Sequence, residues 1–181
     1  GIRLRQTEIS ALPDLRRTDL DAPWTKGLSP AFRYAATARL DPVVCVDDPE
    51  AMELGRMVLR FPLTAGGGGA AVQPREVALA ARKFDDWSSV YCAVPCLPAE
   101  LLRGIARAAG VHLYGNGGDT VYASQGFLAI HTGRAGERTL RLPKGVRELR
   151  EVFDGTRLPV ANGEVQVTLD FGQTRLWRLV R

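Results

Sequence analysis

Between Pro98 and Asp119 the chain changes character, and this change restricts its possible folds more than any other feature. Pro98 suits the first turn of a helix. Leu102, Ile105, Ala106 and Ala109 fall at i, i+3, i+4 and i+7, and Gly110 supplies a left-handed stop, so the spacing predicts a helix over 99–109. Before it stands SSVYCAVP (88–95), a short apolar run with the look of a strand buried on both faces. After it VHLYG (111–115) reads as a second strand. Strand, helix, strand predicts a right-handed βαβ crossover with a parallel pair.

Beyond NGGD (116–119) helical spacing disappears. TVYAS, GFLAIHT, RTLRLP, EVQVTLDF and TRLWRLV are short strand-like runs separated by turn residues. In EVQVTLDF, Val165, Val167, Leu169 and Phe171 alternate with Gln166, Thr168 and Asp170, the pattern of a half-buried antiparallel strand. The expected fold class is therefore α/β followed by all-β. A partial parallel or mixed sheet with a βαβ unit leads into a small antiparallel β-sandwich, with the boundary near Gly115.

Upstream signals are weaker. The first thirty residues show no sustained period and read as a connecting segment (1–30), ahead of an α/β segment (31–115) and the β-domain (116–181). FRYAATARLDPVVCV (32–46) and MELGRMVLRF (52–61) suit sheet structure, and Gly66 to Gly69 read as a flexible loop. PREVALAARKF (74–84) matches helical and strand spacing equally well. Asp85, Asp86 and Trp87 predict a turn.

With 45% hydrophobic and 24% charged residues, the 181-residue chain can bury a real core. Its net charge of +4 is spread over single arginines, without the clustered cations and interleaved aromatics of a nucleic-acid surface. No run is long and apolar enough to cross a bilayer as a helix, and GIRLRQTEIS lacks the apolar stretch of a signal peptide. Gly1 in place of Met reads as the mark of a fragment or of a processed chain, which leaves localisation open. Cys45, Cys92 and Cys96 are odd in number and read as buried thiols rather than a disulfide framework. Cys92 and Cys96, four apart, lack the spacing of a zinc pair. GGGGAAVQP lacks the Lys-Ser/Thr ending of a phosphate loop. No cofactor or metal is expected.

The succession SSVYCAVP, LPAELLRGIARAAGVHLY, GDTVYASQGFLAIHTG and ERTLRLP resembles the C-terminal region of bacterial β-galactosidase-like glycoside hydrolases. The likeness runs from about Pro30 to the C-terminus. It implies the trailing half of an amidotransferase-like trimerisation domain and the small β-domain after it. It also implies an upstream (β/α)₈ barrel holding the catalytic carboxylates, which this chain is too short to contain.

No residue is therefore expected to be catalytic. Asp85 and Asp86 are adjacent and suit a turn rather than the spaced carboxyl pair of a glycosidase. Cys92 has no flanking glycine to form a nucleophile elbow, and His131 continues a strand. Trp87, Tyr91, Tyr114 and Tyr122 are candidate contacts to a sugar or a sister subunit, because such rings join an apolar face to a polar tip. Asp119 is a candidate to bond a sugar hydroxyl. The leading expectation is an oligomerisation and scaffold region that self-associates and braces the barrel. A carbohydrate-binding module is the alternative, and a degenerate hydrolase or amidotransferase a third.

Overall fold

The computed structural model describes residues 1–8, 12–19, 21–60 and 76–181. The chain forms two compact units, residues 1–109 and 110–181. The glycine run 66–69 lies outside the described residues.

The first unit contains β1 (Leu4–Gln6), β2 (Leu12–Arg17), β3 (Arg33–Ala35), β4 (Val44–Val46), β5 (Met52–Arg60), β6 (Glu76–Lys83), β7 (Ser88–Cys92) and α1 (Ala99–Ala108). β1 pairs with β4, and the others form a five-stranded sheet in the order β3-β2-β5-β6-β7. Every pairing in it is antiparallel. The ambiguous run around Ala80 is thus a strand. Ala78, Leu79, Ala80 and Ala81 are all buried, so β6 is covered on both faces, and ladders with β5 and β7 outweigh the helix propensity of its alanines. At the β5 bulge beside Gly55 a Cβ would lie 2.9 Å from Arg16 O, so glycine lets β5 close on β2.

The expected βαβ unit is absent, and the α/β class is corrected to antiparallel sheets with, among the described residues, one short helix. β7 is half-buried rather than covered on both faces, and among the described residues it is an edge strand whose only ladder is with β6. α1 ends at the predicted stop, where Gly110 has φ +76°. Residues 111–115 form no strand. Val111 is 56% exposed, Tyr114 gives its carbonyl to Arg141 N (2.8 Å), and the His112 ring meets Arg141 O (2.9 Å). These bonds tie the segment to Arg141 in β10.

The buried stripe of α1 is also rotated from the predicted one. Leu101 and Gly104 face the core with Ile105 partly buried against it, while Leu102 is 52% exposed. Gly104 explains the rotation: a Cβ there would stand 2.2 Å from Trp24 O. The helix thus rests on the backbone of the turn formed by residues 22–28. That turn is closed by Lys26 N to Ala22 O (2.9 Å) and Leu28 N to Thr25 O (3.0 Å). Both turn and β2 lie within the segment read as a connector.

The second unit contains β8 (Asp119–Ala123), β9 (Phe127–Thr132), β10 (Gly136–Arg141), β11 (Glu148–Glu151), β12 (Arg157–Pro159), β13 (Glu164–Leu169) and β14 (Thr174–Val180). A five-stranded antiparallel sheet, β12-β11-β14-β9-β8, and a β10-β13 ribbon share one core. The sheet contributes Leu128, Ile130, Leu149, Trp177 and Leu179, and the ribbon Leu140, Val165, Val167 and Leu169.

Candidate functional site

The singled-out residues divide between the two units. In the first, Trp87 closes the β6–β7 turn through its carbonyl to Phe84 N (2.8 Å), and its ring stacks on Phe84 at 4.2 Å. Arg82 covers Phe84 from 4.9 Å and pairs with Asp48 (2.8 Å) and Glu50. The carboxyl of Asp48 is held down at about 2, above all by the Arg3 N–H and also by Arg82. Tyr91 is half-buried and donates to Val44 O (3.0 Å); burial pushes its hydroxyl pKa up.

In the second unit, Tyr114 packs against the core with His112 edge-on at 4.6 Å. Asp119 forms a two-pronged pair with Arg138, at 2.7 and 3.1 Å. That guanidinium holds its carboxyl below the usual range. Both of its oxygens are thereby engaged. Tyr122 is 69% exposed, and the strand alternation places it on the opposite face of β8 from Asp119.

Tyr122 opposes Ala129, which opposes Leu176, so these residues share the outward face of the sheet. Phe127, 45% exposed, lies on that face opposite Arg178. Arg178 in turn opposes Arg150, and Arg150 opposes Arg157. Three cations therefore form one row across β14, β11 and β12. Glu148 pairs with Arg150 (3.1 Å). Like charges directly opposite each other weaken a sheet.

Sequence reasoning missed a cleft of about 220 Å³ in the second unit. Leu158 and Trp177 give it an apolar wall, and β13 forms the other side from Gln166 to Leu169. Glu151, Asp154 and Arg175 line it as well. Glu151 is only 4% exposed, and its Oε2 accepts from Phe153 N (2.6 Å) and Asp154 N (2.7 Å). Asp154 accepts from Thr156 N (2.8 Å) and Arg175 Nη1 (3.0 Å), and these bonds, Thr156 first, hold its carboxyl low. The chain's own donors thus engage both carboxylates. The available signal was local: in Glu151-Val-Phe-Asp-Gly, an Asp-Gly turn follows an acid placed to cap it.

The expectation of three buried thiols is corrected. Cys45 is buried and Cys92 half-buried, but Cys96 is exposed. Burial raises the Cys45 thiol to about 11, with Glu76 adding and Arg5 opposing. It raises Cys92 too, against the Tyr34 hydroxyl at 2.7 Å.

One solved structure shares this fold. It is the crystal structure of β-galactosidase from Bacillus circulans sp. alkalophilus, 15% identical, with a TM-score of 0.56 over 98% of this chain. The present chain spans 24% of that one. No family model and no curated protein matches. The likeness therefore concerns fold.

Proposed function

We propose that this chain is an accessory, non-catalytic region of a larger carbohydrate-active protein, serving as a scaffold through which that protein self-associates. The observation carrying the reading is the fold match, which spans nearly all of this chain and only 24% of a β-galactosidase. The bonding of the acids supports it. A glycosidase needs one carboxyl free to protonate and another free to attack or activate water, whereas Asp119, Glu151 and Asp154 are each engaged by internal donors. Tyr122, Phe127 and Leu176 on one outward face supply apolar area for a sister subunit.

The reading frame around this chain tests the proposal. An upstream barrel with two facing carboxylates is the expected finding, and a frame closed at this length overturns it. Light scattering tests the scaffold role: association weakened by Tyr122→Ser with Phe127→Ser is expected, and a monomer at all concentrations removes it. Sugar binding is the second reading, favoured by the bare ring of Tyr122. It predicts that neutral oligosaccharides perturb Tyr122 in titrations followed by NMR.

A further inference from the structure

The ribbon of the second unit has two edges, and a cleft lies along the β13 one. Leu142 N donates to Gly163 O (2.8 Å), which sets the phase of the ladder. With the register Leu140↔Val165 and Arg138↔Val167, the main-chain groups of Val165, Val167 and Leu169 point at β10. Those of Glu164, Gln166 and Thr168 point away.

On the β10 side the outward groups of Arg141 are occupied, since Arg141 N meets Tyr114 O and Arg141 O meets His112, and the Glu137 carbonyl accepts from Arg138. On the β13 side, Glu164 closes a bridge with Ala161. Past that bridge β12 and β13 enter different sheets, and the cleft opens between them. The N–H and C=O groups of Gln166 and Thr168 then have no main-chain partner among the described residues.

Proteins protect such edges with proline, lysine, bulges or short strands. The β12 edge follows this rule, with three residues and Pro159. β13 has six residues, no Pro, no Lys and a ladder without a bulge. The cleft beside it joins bare main-chain groups to an apolar wall of Leu158 and Trp177. Of the two carboxylates in its lining Glu151 is buried and bonded internally, while Asp154, though bonded to Thr156 N and Arg175, keeps a side chain that is 47% exposed. At that end Phe153 and Phe171 stand 84% and 78% exposed on the turns that follow β11 and β13.

We propose that the β13 edge is a docking site for an extended polypeptide segment, which adds as a strand in the cleft between β13 and β12. The chemistry of the partner follows from the walls. About five residues match the strand length. Apolar side chains at alternate positions meet Trp177 and Leu158, and a basic residue sits at the end bounded by Asp154, Phe153 and Phe171. A neutral saccharide would use the hydroxyl-bonding side chains, but it has no need of strand-spaced main-chain groups. The inference does not depend on whether the parent protein acts on carbohydrate.

The test is selection of a displayed random dodecapeptide library on the full chain, followed by binding of the enriched peptides to wild type and to Thr168→Pro. Proline there removes an outward N–H and no ladder bond to β10. Expected are peptides of alternating apolar pattern with a basic end, and at least a tenfold loss of affinity in T168P. Amide exchange in the wild-type protein gives a readout without a variant: the Gln166 and Thr168 N–H groups exchange fast alone and at least tenfold slower with peptide. The proposal is overturned if no peptide is enriched, or if enriched peptides leave those two amides unprotected. It is overturned equally if a neutral tetrasaccharide protects them in place of peptide, or if T168P abolishes self-association, which would make a second copy the occupant.

Discussion

Gly104→Ala sets two physical effects against each other. Helix propensity alone favours alanine by about 1 kcal/mol in a helix interior. The new Cβ, however, would lie 2.2 Å from Trp24 O, where anything under 3.0 Å forces a shift. The obstacle is backbone, in a turn held by its own hydrogen bonds, with Thr25 wholly buried inside it. The helix must therefore lift by about 0.8 Å, loosening Leu101, which is fully buried. Overpacking of this kind costs about 1–3 kcal/mol, and loosening a buried leucine adds part of a further 1.5–3 kcal/mol. After the propensity gain the expected net loss is about 2 kcal/mol, or a fall in Tm of about 8 °C for a unit of this size. Differential scanning calorimetry measures it. A Gly104→Ala chain melting at or above the wild-type temperature would refute the close approach and the account of why α1 presents Leu101.

The other expectations concern charge and thiol chemistry. Iodoacetamide at neutral pH should label Cys96 rapidly while sparing Cys45 and Cys92, and all three after unfolding; equal labelling of the three folded thiols, read by peptide mass spectrometry, would contradict the burial described. Because the folded pKa of Asp48 lies below its ordinary 3.8, its contribution is present above that value and is lost as pH falls towards about 2. Asp48→Asn should therefore lower Tm at pH 7, with the wild-type and variant curves converging across that window; a constant gap would count against the Arg3 and Arg82 contacts. Arg178→Glu converts repulsion across β14 and β11 into attraction and should raise the stability of the second unit by about 0.5 kcal/mol, measured by urea unfolding, with the gain shrinking in high salt.

What was legible in the sequence depended on whether local pattern and tertiary environment agreed. The stop at Gly110 and the strands around Tyr122, Ile130, Val167 and Trp177 could be read directly, because their alternation or capping chemistry is self-contained. β6 could not, since its alanines fit either period until β5 and β7 claimed its main chain. The βαβ reading failed because periodicity gives a segment's type but not its partner. Val111 to Tyr114 is apolar enough for a strand, yet its bonds run to Arg141. β2 was hidden by Pro13 and by charges that disguise a central strand whose Leu15 is fully buried. At the site level, aromatic residues were easy to nominate from their type. The cleft was not, because it depends on two adjacent strands joining different sheets, which no residue type announces.

The position of β14 bears on the order in which the second unit can be made. This last strand lies between β11 and β9, so the β8-β9 and β11-β12 pairs cannot join into one sheet until it is present. During synthesis β9 and β11 each wait with an open flank, and the unit closes only after Thr174–Val180 has left the ribosome. A nascent chain halted before residue 174 would keep Leu128, Ile130 and Leu149 without the Trp177 that covers them, and it is this stalled form that would call on chaperones.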